Sequence, residues 1–143
     1  MVVMFMTTRT LQLTERQRER LNAEHVIWLT TVKKSGDPVP TPVWFLWSSD
    51  EFLIFSEPDT PKLTNISENS SVALNFNGTA EGGDVAVFTS RATVDPDGPS
   101  DAEWDAYVAK YGALIHGLEM TPETFRAAYS VLIRVRPHRV RGW

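Results

Sequence analysis

The chain contains no cysteine among its 143 residues. That absence excludes disulfide scaffolds, thiolate zinc sites, iron–sulfur clusters and cysteine nucleophiles. Long hydrophobic runs are missing as well, because polar residues at positions 7–9 interrupt the apolar start well before a secretory or membrane-spanning length. We therefore expect a cytoplasmic protein with no membrane-spanning segment.

Positive charge is also scarce, since 14 Lys and Arg residues face 18 Asp and Glu residues and the formal net charge is -4. Broad nucleic-acid binding needs a basic face, so we expect no nucleic-acid partner. The three histidines, His25, His116 and His138, are widely separated, and we expect no metal site. The glycine-rich, zinc-binding and serine-nucleophile motifs of Rossmann proteins, P-loop proteins and common hydrolases do not occur.

The length suits one domain, and no repeat or long linker divides the chain. We predict a flexible tail over residues 1–12 and a single domain over residues 13–143. Runs of β-branched and aromatic residues predict six strands, over residues 26–32, 38–47, 51–56, 71–77, 84–95 and 131–140. Because short turns join consecutive strands, we expect an antiparallel sheet that closes into a barrel, within an α+β fold.

Helix-start signals occur between these strands. The predicted helices cover residues 15–23, 58–69 and 100–115, and a further one opens near residue 121. Two begin with a capping box, in which Thr14 pairs with Gln17 and Ser100 pairs with Glu103. Another begins at Thr60-Pro61, where the missing N–H of proline costs nothing.

Three prolines mark one edge of the second strand. Pro38, Pro40 and Pro42 occupy alternate positions, and the direction of the backbone N–H also alternates along a strand. All three therefore remove donors from the same edge, which cannot pair with another strand. This edge either protects the sheet from aggregation or lies against a flat ligand or a partner subunit, and the sequence leaves both interpretations open.

Lys62 is the only cation between Ser35 and Ser90, and it lies where a strand end leads into a helix. The start of a helix offers free amides and the positive end of the helix dipole. Lys62 adds a point charge there, and Ser56 and Thr60 add hydroxyl donors. The pattern predicts an anion site, and the alternative is a plain helix cap beside an exposed lysine.

Three ordered segments carry a resemblance to a known family. They are Thr41-Pro42-Val43-Trp44-Phe45, Ser56-x-x-x-Thr60-Pro61-Lys62-Leu63-x-Asn65-Ile66 and Ser71-Val72-Ala73-Leu74. The chain resembles the pyridoxamine-5'-phosphate-oxidase-like split β-barrel superfamily and, within it, the actinobacterial branch of deazaflavin (coenzyme F-420)-dependent reductases. This resemblance implies an FMN-binding split barrel of six antiparallel strands with about three flanking helices. It also implies a homodimer with a cofactor in each groove between the subunits.

The resemblance further implies which residues contact the cofactor. The matching positions are Ser56, Thr60 and Lys62 for the phosphate, and Pro42, Val43 and Trp44 for the strand beside the ring. Many relatives carry another cation just before the lysine, where this chain has Thr60 and Pro61. Arginines of the last strand replace that charge if they reach across a dimer, and otherwise form a solvated face; they are Arg134, Arg136, Arg139 and Arg141.

Aromatic residues are the candidates for a dry wall beside a flat ring, although such residues also fill protein cores. These candidates are Trp44, Phe45, Trp47 and Trp143. A further aromatic stripe, Trp104 to Tyr111, is expected to pack over the barrel or at the dimer seam. Since the cofactor carries hydride chemistry, we assign no catalytic residue. The possible proton donors, each alternatively a packed or surface residue, are His25, Tyr111 and His116.

These observations lead to a functional prediction with two alternatives. We predict an oxidoreductase that uses reduced coenzyme F-420 to transfer a hydride to an electron-poor small molecule. One alternative is an FMN-dependent enzyme that resembles pyridoxamine-phosphate oxidase, and the other is a non-catalytic split-barrel protein that binds flavin or haem. The longer acidic tail of deazaflavin needs a basic groove outside the ring pocket, so the position of the last strand's arginines distinguishes the two enzymes.

Overall fold

The computed structural model describes residues 11–143, and the predicted tail falls largely on residues 1–10, which lie outside the described residues. The described part contains four helices and seven strands. In chain order these are α1 (Glu15–Ala23), β1 (Val26–Val32), β2 (Pro38–Trp44), β3 (Leu46–Ser48), β4 (Glu51–Ser56), α2 (Pro61–Glu68), β5 (Ser71–Asn75), β6 (Ala86–Asp95), α3 (Asp101–Gly117), α4 (Pro122–Ala128) and β7 (Val131–Gly142).

The strands form a single antiparallel sheet in the order β2-β1-β5-β6-β7-β4-β3. The sheet curls into a half-barrel, so β2 approaches β4 although the two are not neighbours in that order. The predicted α+β class with an antiparallel sheet is confirmed. The strand count was wrong, because the sheet has seven strands rather than six, whereas the four helices match the four helix starts predicted from the sequence.

The additional strand arises from a break at Phe45 within the predicted strand 38–47. The backbone N–H of Phe45 donates to the Tyr111 hydroxyl at 2.8 Å, and the Lys110 ammonium donates to the Phe45 carbonyl at 2.8 Å. Because α3 satisfies both backbone groups, the chain bends here without losing hydrogen bonds. Tyr111 is 66 positions away in sequence, so no local pattern around Phe45 indicates the break.

The prolines of the second strand lie at an end of the sheet, as predicted. β2 is an end strand that pairs with β1 alone in the described part of the chain.

Both predicted capping boxes are present, at Thr14 and at Ser100. At the other end of the chain, β7 extends to Gly142, where an added Cβ would lie 2.0 Å from the Val85 carbonyl oxygen. Only glycine permits this close approach.

β4 is buried along its whole length because its side chains alternate between two cores. Phe52 and Ile54 belong to the barrel core, which the inner faces of the strands form. Leu53 and Phe55 belong to a second cluster, which we call the helical core. Its buried members are Leu46, Leu53, Phe55, Tyr107, Tyr111, Ile115, Phe125 and Leu132. β4 therefore joins the barrel to helices α3 and α4.

A charged cluster fastens α3 to the sheet. The Arg134 guanidinium contacts the carboxylates of Glu51, Asp95 and Glu103, each at 2.7 Å. The hydrogen bonds from Arg134 lower the pKa of Glu103 to about 2 and also lower the pKa of Asp95. Arg136 lies 3.4 Å from Glu51. Arg134 is therefore neither available to a cofactor nor part of a solvated face.

In residues 11–143, no helix is long and apolar enough to cross a membrane.

Candidate functional site

A cleft of about 300 Å³ lies between the sheet and the helices α3 and α4. All six residues that the sequence predicted for a cofactor site line this cleft: Pro42, Val43, Trp44, Ser56, Thr60 and Lys62. β2 supplies the first three, and the end of β4 with the start of α2 supplies the others. The fold thus brings together two segments that the sequence keeps apart, while their role toward a cofactor stays a prediction.

The polar end of the cleft is built at the start of α2. Thr60 is the N-cap residue and Pro61 follows it, as predicted, but the Thr60 side chain does not cap the helix. Its hydroxyl instead lies 3.1 Å from the hydroxyl of Ser56, which donates to the Glu57 carbonyl at 2.8 Å. Pro61 has no N–H and the Leu63 N–H donates to the Thr60 carbonyl at 3.1 Å, so within the described chain the Lys62 N–H is the donor left free in this first turn, which contains no acidic residue.

Lys62 holds a partly buried charge beside these hydroxyls. Burial lowers the pKa of Lys62, and the nearby Glu57 carboxylate offsets this in part. None of the ion pairs within residues 11–143 includes Lys62. A cation that loses water without gaining an ion pair is stabilised by a bound anion, so this end of the cleft suits a phosphate or carboxylate.

The other end of the cleft is aromatic, and three of its rings are nearly parallel. Trp44 stacks on Phe125 with ring centroids 5.8 Å apart and an interplanar angle of 17°, and Phe125 stacks on Tyr129 at 4.5 Å and 19°. Tyr107 and Leu118 of the α3 region also line it. Flat, apolar surfaces of this kind suit a planar ring system.

Of the four aromatic residues that the sequence offered either as a wall or as core residues, Trp44 alone lines this cleft. Phe45 and Trp47 point into the barrel and pack edge-on against Phe52, with centroid distances of 5.7 and 4.8 Å. Trp143 is 75% exposed, and its indole N–H donates to the Gly82 carbonyl at 2.8 Å.

Helices α3 and α4 supply the missing aromatic wall. Phe125 and Tyr129 belong to the α4 region, which no local sequence pattern connects with the site. Tyr107 belongs to the aromatic stripe predicted for α3, so that stripe was the one available signal. The stripe packs over β4, as its contacts with Phe55 show.

None of the three candidate proton donors lines the cleft. Tyr111 is fully buried, and its hydroxyl is 2.6 Å from the His25 carbonyl and 2.8 Å from the Phe45 carbonyl. Burial also raises the pKa of Tyr111. His25 and His116 are exposed. The described residues hold no group of three or more His, Asp or Glu side chains arranged for a metal ion.

Comparison with known proteins places the chain in a family. Residues 13–143 match the family model described as pyridoxamine 5'-phosphate oxidase. No curated protein matches the chain.

Three solved structures share the fold at low sequence identity. An F-420 reductase is 21% identical, with a TM-score of 0.60, and the match covers 86% of this chain and 94% of that one. An FAD-binding protein from Mesorhizobium loti is 19% identical, with a TM-score of 0.60 and coverage of 86% of both chains. The haem storage protein HutZ from Vibrio cholerae is 15% identical, with a TM-score of 0.66 and coverage of 90% and 93%.

Proposed function

The chain belongs to the pyridoxamine 5'-phosphate oxidase family, and on that basis we propose that it is a reductase that uses coenzyme F-420. In this proposal the reduced cofactor lies in the cleft, and an electron-poor small molecule accepts its hydride. One observation carries the proposal. An unpaired, partly buried Lys62 with two hydroxyls occupies one end of a cleft whose other end consists of nearly parallel aromatic rings.

Lys62, Ser56 and Thr60 are the residues proposed to hold the cofactor phosphate. Lys62 supplies the charge, and its own backbone N–H in the first turn of α2 adds a donor. The Thr60 hydroxyl is only partly buried and caps no helix amide, so it can turn from Ser56 toward a phosphate oxygen. Ser56 is 1% exposed, and its hydroxyl contacts the Thr60 hydroxyl.

The Pro42, Val43 and Trp44 segment is proposed to lie beside the ring. In an antiparallel strand the N–H and the C=O of one residue point to the same side. The free edge of β2 therefore presents carbonyl acceptors at its prolines and no donors, which suits a ring N–H. The bound cofactor supplies the hydride, and the aromatic rings orient it and exclude water.

The size of the cleft supports a second subunit in the assembly. Small-molecule sites span roughly 300–1,000 Å³, and this cleft of about 300 Å³ lies at the lower limit. In this proposal the ring and one phosphate occupy the cleft, and the acidic tail of coenzyme F-420 lies outside it. We propose a homodimer in which that tail follows the groove between subunits. Since Arg134 is paired within the chain, the exposed Arg139 and Arg141 are the cations proposed for it.

An FMN-dependent oxidoreductase is the second candidate. The observation that favours it is the same pairing of Arg134, which leaves fewer cations of β7 for a long acidic tail. FMN has no such tail and needs only the cleft itself. A non-catalytic protein that binds flavin or haem is the third candidate, and measurements of binding and turnover distinguish it from the two enzymes.

The test is a titration of purified wild-type protein and Lys62→Ala with coenzyme F-420, FMN and haem, followed by tryptophan fluorescence. Trp44 lines the cleft, so a bound ring quenches its emission. A hydrogen bond to a charged group contributes about 1.5–3 kcal/mol, so we expect Lys62→Ala to weaken the phosphate-bearing cofactor about 10- to 150-fold. Tighter binding of coenzyme F-420 than of FMN supports the first candidate, and the reverse order supports the second.

Lys34→Ala is the matched control, because Lys34 is exposed in the turn between β1 and β2 and does not line the cleft. Its cofactor affinity is expected to equal that of the wild type. Equal affinity of Lys62→Ala and wild type would remove Lys62 from the site. Turnover is then measured by oxidation of the reduced cofactor in the presence of quinones and conjugated carbonyl compounds. Tight binding with no oxidation under any acceptor identifies a non-catalytic binding protein.

A further inference from the structure

Tyr107 combines almost complete burial with an unused hydroxyl. Its side chain is 1% exposed, and no hydrogen bond of its hydroxyl occurs within residues 11–143. In the same part of the chain, however, no fully buried side-chain nitrogen or oxygen lacks a partner. The small accessible area of Tyr107 must therefore lie on its hydroxyl. Because Tyr107 lines the cleft, that hydroxyl opens into the cleft.

Tyr111, one helical turn later on α3, shows what a fully used hydroxyl looks like. It accepts from the Phe45 N–H at 2.8 Å and lies 2.6 Å from the His25 carbonyl. The two tyrosine rings are neighbours, with centroids 4.8 Å apart. The Tyr107 hydroxyl has no such protein partner among the described residues, so the helical core gains no hydrogen bond from a tyrosine rather than a phenylalanine at position 107.

The surroundings of Tyr107 determine what its hydroxyl can do. The rings of Phe55, Trp104 and Phe125 pack around the Tyr107 ring, at centroid-to-centroid distances of 4.6, 5.7 and 6.0 Å. Burial raises the pKa of Tyr107. The group therefore keeps its proton and can act as a hydrogen-bond donor toward a molecule in the cleft.

We propose that Tyr107 is a ligand-binding residue whose O–H donates a hydrogen bond to a conjugated carbonyl oxygen of a planar molecule in the cleft. This inference rests on the proposed function, because it requires a planar ligand at the aromatic end. Such an oxygen occurs both on the cofactor ring and on an electron-poor acceptor. The two sources share the same chemistry, and the arms of the experiment separate them.

The experiment compares Tyr107→Phe with Tyr111→Phe in two measurements. In thermal unfolding without ligand, Tyr107→Phe is expected to match or exceed the wild-type Tm, since no protein hydrogen bond is lost. Tyr111→Phe is expected to unfold at a lower temperature, because it loses the hydrogen bonds of the Tyr111 hydroxyl with the Phe45 N–H and with the His25 carbonyl. In titrations with coenzyme F-420, FMN and a simple naphthoquinone, Tyr107→Phe is expected to raise the Kd of one ligand about 3- to 10-fold.

Each result has a defined meaning. A raised Kd for coenzyme F-420 or FMN, with a smaller shift of the bound ring's absorption band, assigns the oxygen to the cofactor. A raised Kd for the naphthoquinone alone assigns it to the acceptor. Unchanged affinity for all three ligands overturns the proposal, and so does a Tm loss equal to that of Tyr111→Phe. A wild-type protein that binds neither cofactor refutes the proposed function, and the naphthoquinone titration then decides the role of Tyr107 alone.

Discussion

Arg134 and Lys62 each keep a positive charge partly out of water, in two regions with opposite arrangements of partners. Arg134 meets three carboxylates from β4, β6 and α3. Lys62 lines the same cleft as the hydroxyls of Ser56 and Thr60, and the Glu57 carboxylate acts on it only from a distance. One region thus completes its electrostatic interactions within the chain, and the other leaves them to a ligand.

The comparison separates a cation that holds the fold from a cation that serves a site. A charge with several hydrogen-bonded partners stabilises the elements that supply those partners. A partly buried charge with no ion pair contributes little to stability and gains most when an anion binds. Removing Arg134 therefore tests the fold, and removing Lys62 tests the cleft.

The largest effect is expected for Arg134→Met, which retains much of the side chain's bulk but leaves Glu51, Asp95 and Glu103 without their common partner. We expect the free energy of unfolding to fall by about 2–4 kcal/mol, measured by urea denaturation at neutral pH. Arg139→Met is the control, because Arg139 is exposed on the same strand, and its effect is expected to stay within about 0.5 kcal/mol. Equal effects of the two variants would contradict the comparison.

A smaller effect is expected from acid. The pKa of Glu103 is about 2 in the folded chain against an ordinary value of 4.5, and the pKa of Asp95 is lowered as well. A lowered folded pKa adds stability that is complete above the ordinary value and is lost as the pH falls from 4.5 toward 2.

Urea denaturation at a series of pH values from about 7 down to 3 measures this loss. In Arg134→Met the carboxyl groups lack the partner that lowers their pKa values, so this variant is expected to lose less stability on acidification than the wild type. Parallel curves for the two proteins would show that Arg134 does not control these carboxylates.

The smallest effect is expected for the stability of Lys62→Met. No ion pair within residues 11–143 is lost, and the burial of a charge is relieved. The free energy of unfolding is expected to change by less than about 0.5 kcal/mol or to rise slightly, in the same urea experiment. A loss as large as that of Arg134→Met would mean that Lys62 holds the fold rather than a ligand.

Local patterns were sufficient where the structure depends on local interactions. The capping boxes at Thr14 and Ser100 join residues three positions apart, the helix start at Thr60 is marked by the adjacent Pro61, and all three were predicted from the sequence. The order of residues alone also shows that Lys62 is the only cation between Ser35 and Ser90. These features located the polar end of the cleft.

Features that depend on distant segments were missed or misassigned. The aromatic end takes Phe125 and Tyr129 from the α4 region, and nothing near Trp44 in sequence indicates that these rings face it. Phe45 and Trp47 were named as wall candidates beside Trp44, although side chains at odd and even positions of a strand face opposite sides, and the structure packs both against the barrel core. The partners of Arg134 are 31 to 83 positions away, so its pairing was equally invisible.

The corner at Phe45 also has a consequence for the order of folding. Its N–H and C=O depend on Tyr111 and Lys110, which are 66 and 65 positions later in the chain. Contacts across so long a stretch require a large loop to close first, and they slow folding. Strands β1 to β6 all precede Lys110 in the chain, so six strands are synthesised before the two side chains that complete this corner. A nascent chain that stops before Lys110 therefore has a nearly complete first half with an unfinished corner.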